Sequence, residues 1–189
     1  MQNSNSKDNR IRALCEGAIM VTLAIALGFI RIIQLPQGGS VSLEMFPIFI
    51  YCIKWGAKQG FKCSLAYGVL YLLIDGAYAW GPTSMILDYI AAFGILGVCG
   101  FFSKKENGIY LGITVGSIAR FIVHFISGVT IYRIYAPTEV FNITIVNPYI
   151  YSAVYNGSFM LIDYIFCMLL AGLLHKRLRA FFAGNGGNI

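Results

Sequence analysis

Long apolar runs separated by short polar segments are the feature that most restricts the fold of this chain. A helix rises about 1.5 Å per residue, so about 20 mostly apolar residues cross the hydrocarbon core of a bilayer. The candidate runs are Ala13–Ile33, Leu43–Ile53, Gly60–Ile74, Ser84–Phe102, Leu111–Ile131 and Tyr149–Leu174. The second run is short and needs Val41 and Trp55 to cross, and the third could also be tilted or only partly inserted.

These runs are continuous and lack the alternation of a β-barrel, which predicts helices. Of the 189 residues, 58% are hydrophobic and 12% are charged, which is less charge than a soluble domain needs to cover its surface. We therefore expect an all-α, polytopic membrane protein with six transmembrane helices. Residues 1–189 are expected to form a single integral membrane domain, with a polar N-terminal segment at 1–12 and a flexible tail at 180–189.

The basic residues predict the orientation of the chain. The net charge is +6, and eleven of the 14 Lys and Arg residues form four clusters: Lys7, Arg10 and Arg12; Lys54, Lys58 and Lys62; Lys104 and Lys105; Lys176, Arg177 and Arg179. If six helices alternate in direction, all four clusters lie on one side of the membrane. Cytoplasmic loops carry an excess of Lys and Arg, so we expect both termini in the cytoplasm. The positive charge is therefore interpreted as an orientation signal and not as a nucleic-acid-binding surface.

The sequence lacks the motifs expected of an enzyme or of a subunit that energises transport. The five cysteines occur singly, without a C-x-x-C pair, so no metal site is expected. The phosphate-binding pattern G-x-x-x-x-G-K-[ST] does not occur, so other subunits would have to hydrolyse ATP. His124 and His175 are expected at opposite faces of the membrane, and no H-E-x-x-H motif exists. Internal repeats typical of secondary transporters are not evident. We expect a protein that is not an enzyme.

Ionisable residues within the apolar runs carry most of the functional signal. A charged group at bilayer depth costs at least about 2.5–3.5 kcal/mol, so such groups normally face a cavity or a partner. The candidates are Glu44, Asp88, Arg120, His124 and Asp163. Arg120 and His124 share one helix face. Glu44, Asp88 and His124 are expected towards the outside of the membrane, where they could converge on one pocket.

Two readings of these charges stay open at the level of sequence. Arg120 could simply pair with Asp163 or Asp88 and hold helices together, as in a structural membrane protein with buried ion pairs. One arginine does not neutralise three carboxylates, however, and a cavity with surplus negative charge and many aromatic side chains suits an organic cation. Protonated carboxylic acids are the competing explanation.

Polar and aromatic groups near the expected outer face have two interpretations as well. Tyr78 and Tyr132 lie in or next to connecting loops rich in Gly, Pro and aromatics, which predicts either an interfacial aromatic belt or a lid over the bundle. Gly38 and Gly39 would give one such loop the freedom to act as a lid. Asn156, after Tyr151 and Tyr155, offers a donor and an acceptor either to an amino-pyrimidine edge or to a neighbouring helix.

An ordered set of motifs points to a known family. "GGSVSLEMFPI" (38–48), "LDYIAAF" (87–93), "RFIVHFISG" (120–128), "YAP" (135–137) and "YSAVYNGS" (151–158) resemble the thiamine-specific substrate-binding subunit, or S-component, of energy-coupling-factor transporters. The resemblance covers nearly the whole chain. It implies a six-helix protein of the bacterial cell membrane that captures thiamine from outside in a deep pocket, capped by the loop between the first two helices. It also implies partners, namely a transmembrane coupling subunit and two ATP-binding cassette ATPases, which alone use ATP; no cofactor is implied.

The same resemblance implies roles for particular residues. Asp88 matches a carboxylate that faces the thiamine cation, and Tyr151 and Asn156 match the residues that hold the aminopyrimidine. Arg120 would orient Asp88 or reach the hydroxyethyl or phosphate end of the vitamin. The remaining matches are Tyr89, His124, Glu44 and the aromatic positions Tyr67, Tyr78 and Tyr132. Some members carry Glu at the position of Asp88 and Trp at the positions of Tyr67 and Tyr132. A different vitamin or a thiamine precursor is the nearest alternative ligand.

Small residues on the first run predict a contact with another helix. Ala18, Thr22 and Ala26 recur every four residues, which allows close helix packing. The resemblance implies docking of this stripe on the coupling subunit, with Thr22 a departure from an Ala-x-x-x-Ala pattern. Ordinary packing inside the bundle is the alternative.

Overall fold

The chain folds almost entirely as helices. The computed structural model describes residues 2–35, 38–76, 81–135, 139–140 and 143–183, and the side chains of 8–35, 38–76, 81–131 and 144–182. The helices are α1 (Gln2–Phe29), α2 (Met45–Asp75), α3 (Pro82–Ser84), α4 (Ala92–Gly94), α5 (Gly108–Tyr135), α6 (Pro148–Leu173) and α7 (His175–Ala183). A π-helical turn at Met85–Ala91 joins α3 to α4, and a 3-10 stretch at Ile95–Phe102 follows, so Pro82–Phe102 is one helical segment. The prediction of an all-α membrane protein is confirmed.

Two short strand pairs depart from the all-helical expectation. β1 (Ile33–Gln34) pairs antiparallel with β2 (Ser40–Val41), and β3 (Glu139–Val140) pairs with β4 (Ile143–Thr144). The first pair ends the first helix at Phe29 and delays the second until Met45, so neither helix has the bounds of its apolar run. At the other end, α7 continues to Ala183, into the region expected to be a flexible tail.

The element α2 is a helical hairpin that turns at Gly56. Gly56 has φ 76° and ψ 175°, a conformation that side chains with a Cβ rarely adopt. Cys52 Sγ lies 3.6 Å from Ser64 Oγ, so the arms 45–55 and 57–75 run antiparallel. These arms correspond to the second and third apolar runs. The first arm spans about 16 Å, well short of the hydrocarbon core.

Six long helical pieces therefore exist, as the sequence indicates: α1, the two arms of α2, Pro82–Phe102, α5 and α6. Within the described residues, the stretches that are long and apolar enough to cross a membrane are Asp8–Phe29, Pro82–Phe102, Gly108–Ile131 and Pro148–Leu173. Their outer faces expose large apolar side chains such as Ile19, Phe101, Ile122 and Leu161, as a lipid-facing surface requires. Six crossings stay a prediction.

The basic clusters meet at one end of the bundle. Lys54, beside the Gly56 turn, pairs with Glu16 of α1 at 2.9 Å, and its ammonium lies 3.4 Å from the ring centroid of Phe181 in α7. Arg179 of α7 lies 3.7 Å from Glu106, which follows the Pro82–Phe102 segment. The sequence-based grouping of these segments at one end agrees with these contacts. Placement of that end in the cytoplasm stays a prediction.

Two buried clusters border the opposite end, and the larger one continues along the bundle as far as α7. The larger one packs the arms of α2 against Pro82–Phe102 and α5, and its fully buried side chains include Phe49, Tyr67, Phe93 and Leu96. The smaller one joins β2 to α6 through Val41, Tyr151, Tyr155, Phe159 and Met160. The space between the two clusters contains the candidate site.

Candidate functional site

A cavity opens at the end of the bundle remote from Gly56. Its volume is about 110 Å³, several times what one water molecule requires. Its lining combines carboxylates, basic groups, aromatic rings and small residues: Gly38, Gly39, Ser40, Glu44, Tyr71, Asp75, Ser84, Asp88, Tyr89, Phe93, Arg120, His124, Gly128, Ile131, Tyr151, Tyr155, Asn156 and Phe159. Glu44, Asp88 and His124 share this cavity, as the sequence-based hypothesis requires.

Asp88 is held in the cavity wall by three hydrogen bonds. His124 Nδ1 lies 2.9 Å from Oδ1, and the hydroxyls of Ser84 and Ser127 donate to Oδ2 at 2.7 and 2.8 Å. Asp88 belongs to the π-helical turn, a type of irregularity that is frequent at functional sites. Three donors from two helical segments fix the orientation of this carboxylate before any ligand arrives.

The proton on His124 can be assigned from its neighbours. Arg120 Nε donates to His124 Nε2 at 3.3 Å, and an arginine N–H can only be a donor. Nε2 is therefore the unprotonated acceptor, and Nδ1 carries the hydrogen that is donated to Asp88. The imidazole is neutral in this arrangement, so it orients Asp88 without cancelling its charge.

Arg120 is neutralised by Glu44. Arg120 Nη2 lies 3.3 Å from Glu44 Oε1, and the two residues are 4% and 3% exposed. The guanidinium carbon lies 4.0 Å from the ring centroid of Phe93, a cation–π contact. The expectation that Arg120 pairs with Asp88 or Asp163 is wrong. Helix α2 brings Glu44 closer, and Arg120 reaches Asp88 only through His124.

A second ion pair lies at the rim of the cavity. Arg31, just before β1, binds the carboxylate of Asp75 at the end of α2. Burial is the largest single influence and lowers the pKa of Arg31, but the hydrogen bond and charge attraction of Asp75, together with Tyr71, outweigh it in sum, so the pKa lies above its usual value. Tyr89 OH donates to the backbone carbonyl of Asp75 at 3.1 Å.

The charge balance of the site follows from these pairs. The lining carboxylates are Glu44, Asp75 and Asp88, and guanidinium groups match the first two. Among the described residues around the cavity, one negative charge is left unmatched, and it belongs to Asp88. The surplus is smaller than the sequence suggested because Asp163 does not line the cavity; Asp75, which does, adds no surplus because Arg31 neutralises it.

Helix α6 supplies an aromatic and amide wall. Tyr151 and Tyr155 stack with centroids 6.0 Å apart and planes 9° from parallel, and Phe159 meets both Tyr155 and His124 edge to face. Asn156 Nδ2 donates to His124 O and Ser152 Oγ, both at 3.1 Å. Both amide hydrogens are thus used, one towards α5 and one within α6, whereas Oδ1 accepts no hydrogen bond from the described residues.

Gly128 allows this wall to approach α5 closely. A Cβ at Gly128 would lie 2.4 Å from Ser152 Oγ and 2.7 Å from Asn156 Nδ2, so a larger residue would displace Asn156. The absence of a side chain at Gly128 therefore sets the position of the amide.

The site residues indicated by the sequence fall into three groups. The lining includes seven of them: Glu44, Asp88, Tyr89, Arg120, His124, Tyr151 and Asn156. Tyr67 is fully buried behind the wall and donates to Glu44 Oε2 at 2.9 Å. Tyr78 and the side chain of Tyr132 lie outside the described residues. The role of all ten in ligand binding stays a prediction.

Sequence reasoning missed several lining or supporting residues that helical spacing could have indicated. Ser84 precedes Asp88 by four residues, Ser127 follows His124 by three, and Phe159 follows Tyr155 by four. Tyr71 follows Tyr67 by four and, unlike it, reaches the cavity. Within the described residues, no group of three His, Cys, Asp or Glu could hold a metal ion.

The small-residue stripe of α1 faces outwards. Ala18, Thr22 and Ala26 are all exposed, and Thr22 Oγ1 donates to the carbonyl of Ala18 at 2.9 Å. The stripe does not pack inside the bundle formed by the described residues, so the alternative of internal packing is wrong.

Comparison with known proteins gives one matching family and several relatives. A sequence model of the family described as "Thiamine transporter protein" (Thia_YuaJ) matches residues 14–183. The thiamine transporter ThiT of Bacillus subtilis (strain 168) is 32% identical over 186 residues, covering 89% of this chain and 93% of that protein. ThiT of Lacticaseibacillus paracasei is 26% identical, with 85% of each chain covered. A solved structure of ThiT from Listeria monocytogenes superposes with a TM-score of 0.79 at 26% identity, covering 92% of this chain and 98% of that one.

Proposed function

This chain belongs to the thiamine transporter protein family, and we propose that it is the substrate-binding membrane subunit of an energy-coupling-factor transporter. The family is a class of transporters and not of enzymes, and its members are multi-pass proteins of the cell membrane. In the proposed role the subunit captures thiamine from outside, and partner subunits drive its import with ATP.

The unmatched carboxylate of Asp88 is the observation that carries the proposal. Thiamine is a permanent cation whose thiazolium ring is joined to an aminopyrimidine. One fixed carboxylate next to neutral His124 complements one positive charge, and a desolvated cation gains about 0.5–2 kcal/mol from an aromatic face. Asn156 lines the cavity, and its Oδ1, which accepts no hydrogen bond from the described residues, could accept one from an amino group. A structural membrane protein with ion pairs alone would have no use for an unmatched charge in a partly buried position.

Calorimetric titration of the purified protein tests this function. We expect one thiamine to bind per chain, and riboflavin and biotin to give no binding heat at the same concentrations. Calorimetry is preferable to tryptophan fluorescence because one of the two tryptophans, Trp55, donates to Glu16 at the end of the bundle remote from the cavity, and the other, Trp80, lies outside the described residues. Binding of riboflavin or biotin in place of thiamine would replace the proposed ligand, and no binding of any of them would reject the proposed function.

The outward stripe of α1 supports the partner part of the proposal. Nothing in the sequence resembles a phosphate-binding loop, so the chain needs ATPases supplied by other subunits. Exposed small residues at a spacing of four allow a helix of a coupling subunit to approach closely.

Substituting Ala18→Leu is expected to leave thiamine affinity unchanged and to abolish thiamine uptake. The larger side chain keeps the helix surface apolar but prevents close helix approach. Uptake of labelled thiamine by cells that express the complete transporter measures the effect. Ile19→Leu, on a neighbouring exposed position of the same helix, is the matched control and should transport normally. Normal uptake by Ala18→Leu would remove the stripe from the docking surface.

A ligand change tests the role of Asn156. A thiamine analogue with an oxygen in place of the amino group should bind about 10- to 100-fold more weakly, because two acceptors would then face each other. Asn156→Ala should bind thiamine less tightly and lose most of this discrimination. Competition titrations with both proteins measure it, and equal discrimination by wild type and Asn156→Ala would contradict the assignment.

A further inference from the structure

Asp163 is a buried carboxylate with no part in the proposed binding step. It is 1% exposed and does not line the cavity. Its Oδ1 accepts a hydrogen bond from the backbone N–H of Ser42 at 3.0 Å, whereas its Oδ2 has no hydrogen-bond partner among the described residues. A buried oxygen left without a partner costs stability. The presence of Asp163 is therefore not explained by its contribution to stability.

The backbone that Asp163 holds leads directly into the site. Ser42 is fully buried in the segment that connects β2 to α2, and its hydroxyl accepts from the backbone N–H of Glu44 at 3.4 Å. Glu44 in turn pairs with Arg120 in the cavity wall. Asp163 thus fixes the chain two residues before a side chain that lines the cavity.

The residues before Ser42 also attach to α6. Val41 is 1% exposed within the cluster that contains Tyr155 and Phe159. The backbone N–H of Gly39 donates to Tyr155 OH at 2.9 Å, and a Cβ there would lie 2.9 Å from Phe159. Three successive contacts therefore hold segment 39–44 on α6: the Gly39 hydrogen bond, the packing of Val41, and the bond from Ser42 to Asp163.

We propose that Asp163 is a positioning residue that holds segment 39–44 against α6 and thereby sets how slowly bound thiamine leaves the cavity. This inference rests on the proposed function. Among the described lining residues, Glu44 lies in the turn that begins α2, and Gly38, Gly39 and Ser40 form the part of the cavity wall that precedes this helix. This wall can move with the least change to the bundle, so its attachment to α6 controls release.

Rates of thiamine release measured by rapid dilution of the labelled complex test this inference. Asp163→Leu removes the acceptor but keeps the branching and the number of heavy atoms of the side chain. We expect thiamine to dissociate about 10-fold faster or more, with an association rate within about twofold of wild type. Asp163→Asn retains an Oδ1 acceptor for Ser42 N–H and should restore most of the slow release. Release from Asp163→Asn as fast as from Asp163→Leu would overturn the hydrogen-bond mechanism.

Two further variants separate this role from a general loosening of α6. Val41→Ala weakens the same attachment without changing a residue of the cavity lining. Thiamine should also dissociate faster from this variant. If Asp163→Leu does not fold, the release rate of Val41→Ala tests the inference in its place. Tyr164→Phe removes a hydroxyl on α6 that lies 3.3 Å from Thr114 Oγ1 on α5, and its release rate should be unchanged. Wild-type release rates in both Asp163→Leu and Val41→Ala would overturn this inference but not the proposed function. Release from Tyr164→Phe that is accelerated as much as from Asp163→Leu would have the same consequence. A wild-type protein that does not bind thiamine would overturn the proposed function and this inference with it.

Discussion

Replacing Asp88 with asparagine is expected to weaken thiamine binding by about 2–5 kcal/mol, the cost of removing one partner from a buried charge pair. Asparagine has nearly the same shape, and its oxygen can still accept hydrogen bonds from Ser84 and Ser127. What is lost is the one unmatched negative charge and the acceptor for Nδ1–H of His124, which would face the amide NH2 group instead. Calorimetric titration of the variant in detergent measures the loss, and each 1.4 kcal/mol corresponds to about tenfold in Kd.

The matched control for this substitution is Glu16→Gln. Glu16 is also a carboxylate within an apolar helix, but it pairs with Lys54 at the end of the bundle remote from the cavity. Its substitution should leave thiamine affinity unchanged. An Asp88→Asn variant that binds thiamine as tightly as wild type would remove Asp88 from the site.

Replacing Arg120 with methionine is expected to lower the free energy of unfolding by about 3–5 kcal/mol. Methionine keeps the unbranched apolar stem of arginine but leaves Glu44 as a buried charge without its cation, with Tyr67 OH as the remaining side-chain donor to it among the described residues. His124 also loses the donor that fixes its tautomer. Unfolding in detergent, followed by heat or denaturant, measures the loss.

A double variant shows whether the pair is the cause. Arg120→Met combined with Glu44→Gln removes both charges, and it should recover most of the stability lost in Arg120→Met alone. If the double variant is as unstable as the sum of the two single variants, the stability of this region does not depend on the pairing of Arg120 with Glu44.

The long apolar runs and the i, i+4 spacing made much of this architecture predictable. The runs indicate the helices because the bilayer requires long apolar helices, and they separate the two arms of α2 around Gly56. The spacing of Arg120 and His124 places both on one helix face, and both line the cavity. The sequence also indicates that Glu44, Asp88 and His124 lie at similar depth.

The sequence did not predict which side chains would pair within the bundle, because the depth of a residue in the membrane does not give the direction in which its side chain points. Asp163 lies in an apolar run as Asp88 does, yet it faces the backbone of Ser42 and not Arg120. Tyr67 and Tyr71 differ by one helical turn, and the antiparallel arms of α2 place the first behind Glu44 and the second in the cavity. The π-helical turn that carries Asp88 has no signal in hydrophobic periodicity.

The charge of the ligand offers the most direct measurement of the central claim, that Asp88 binds a positive group. Wild type and Asp88→Asn should each be titrated with thiamine and with the neutral analogue in which carbon replaces the positively charged nitrogen of the thiazolium ring. We expect wild type to prefer thiamine by about 2 kcal/mol or more, and this preference to disappear in Asp88→Asn. An equal preference in both proteins would show that another feature of the cavity recognises the cation.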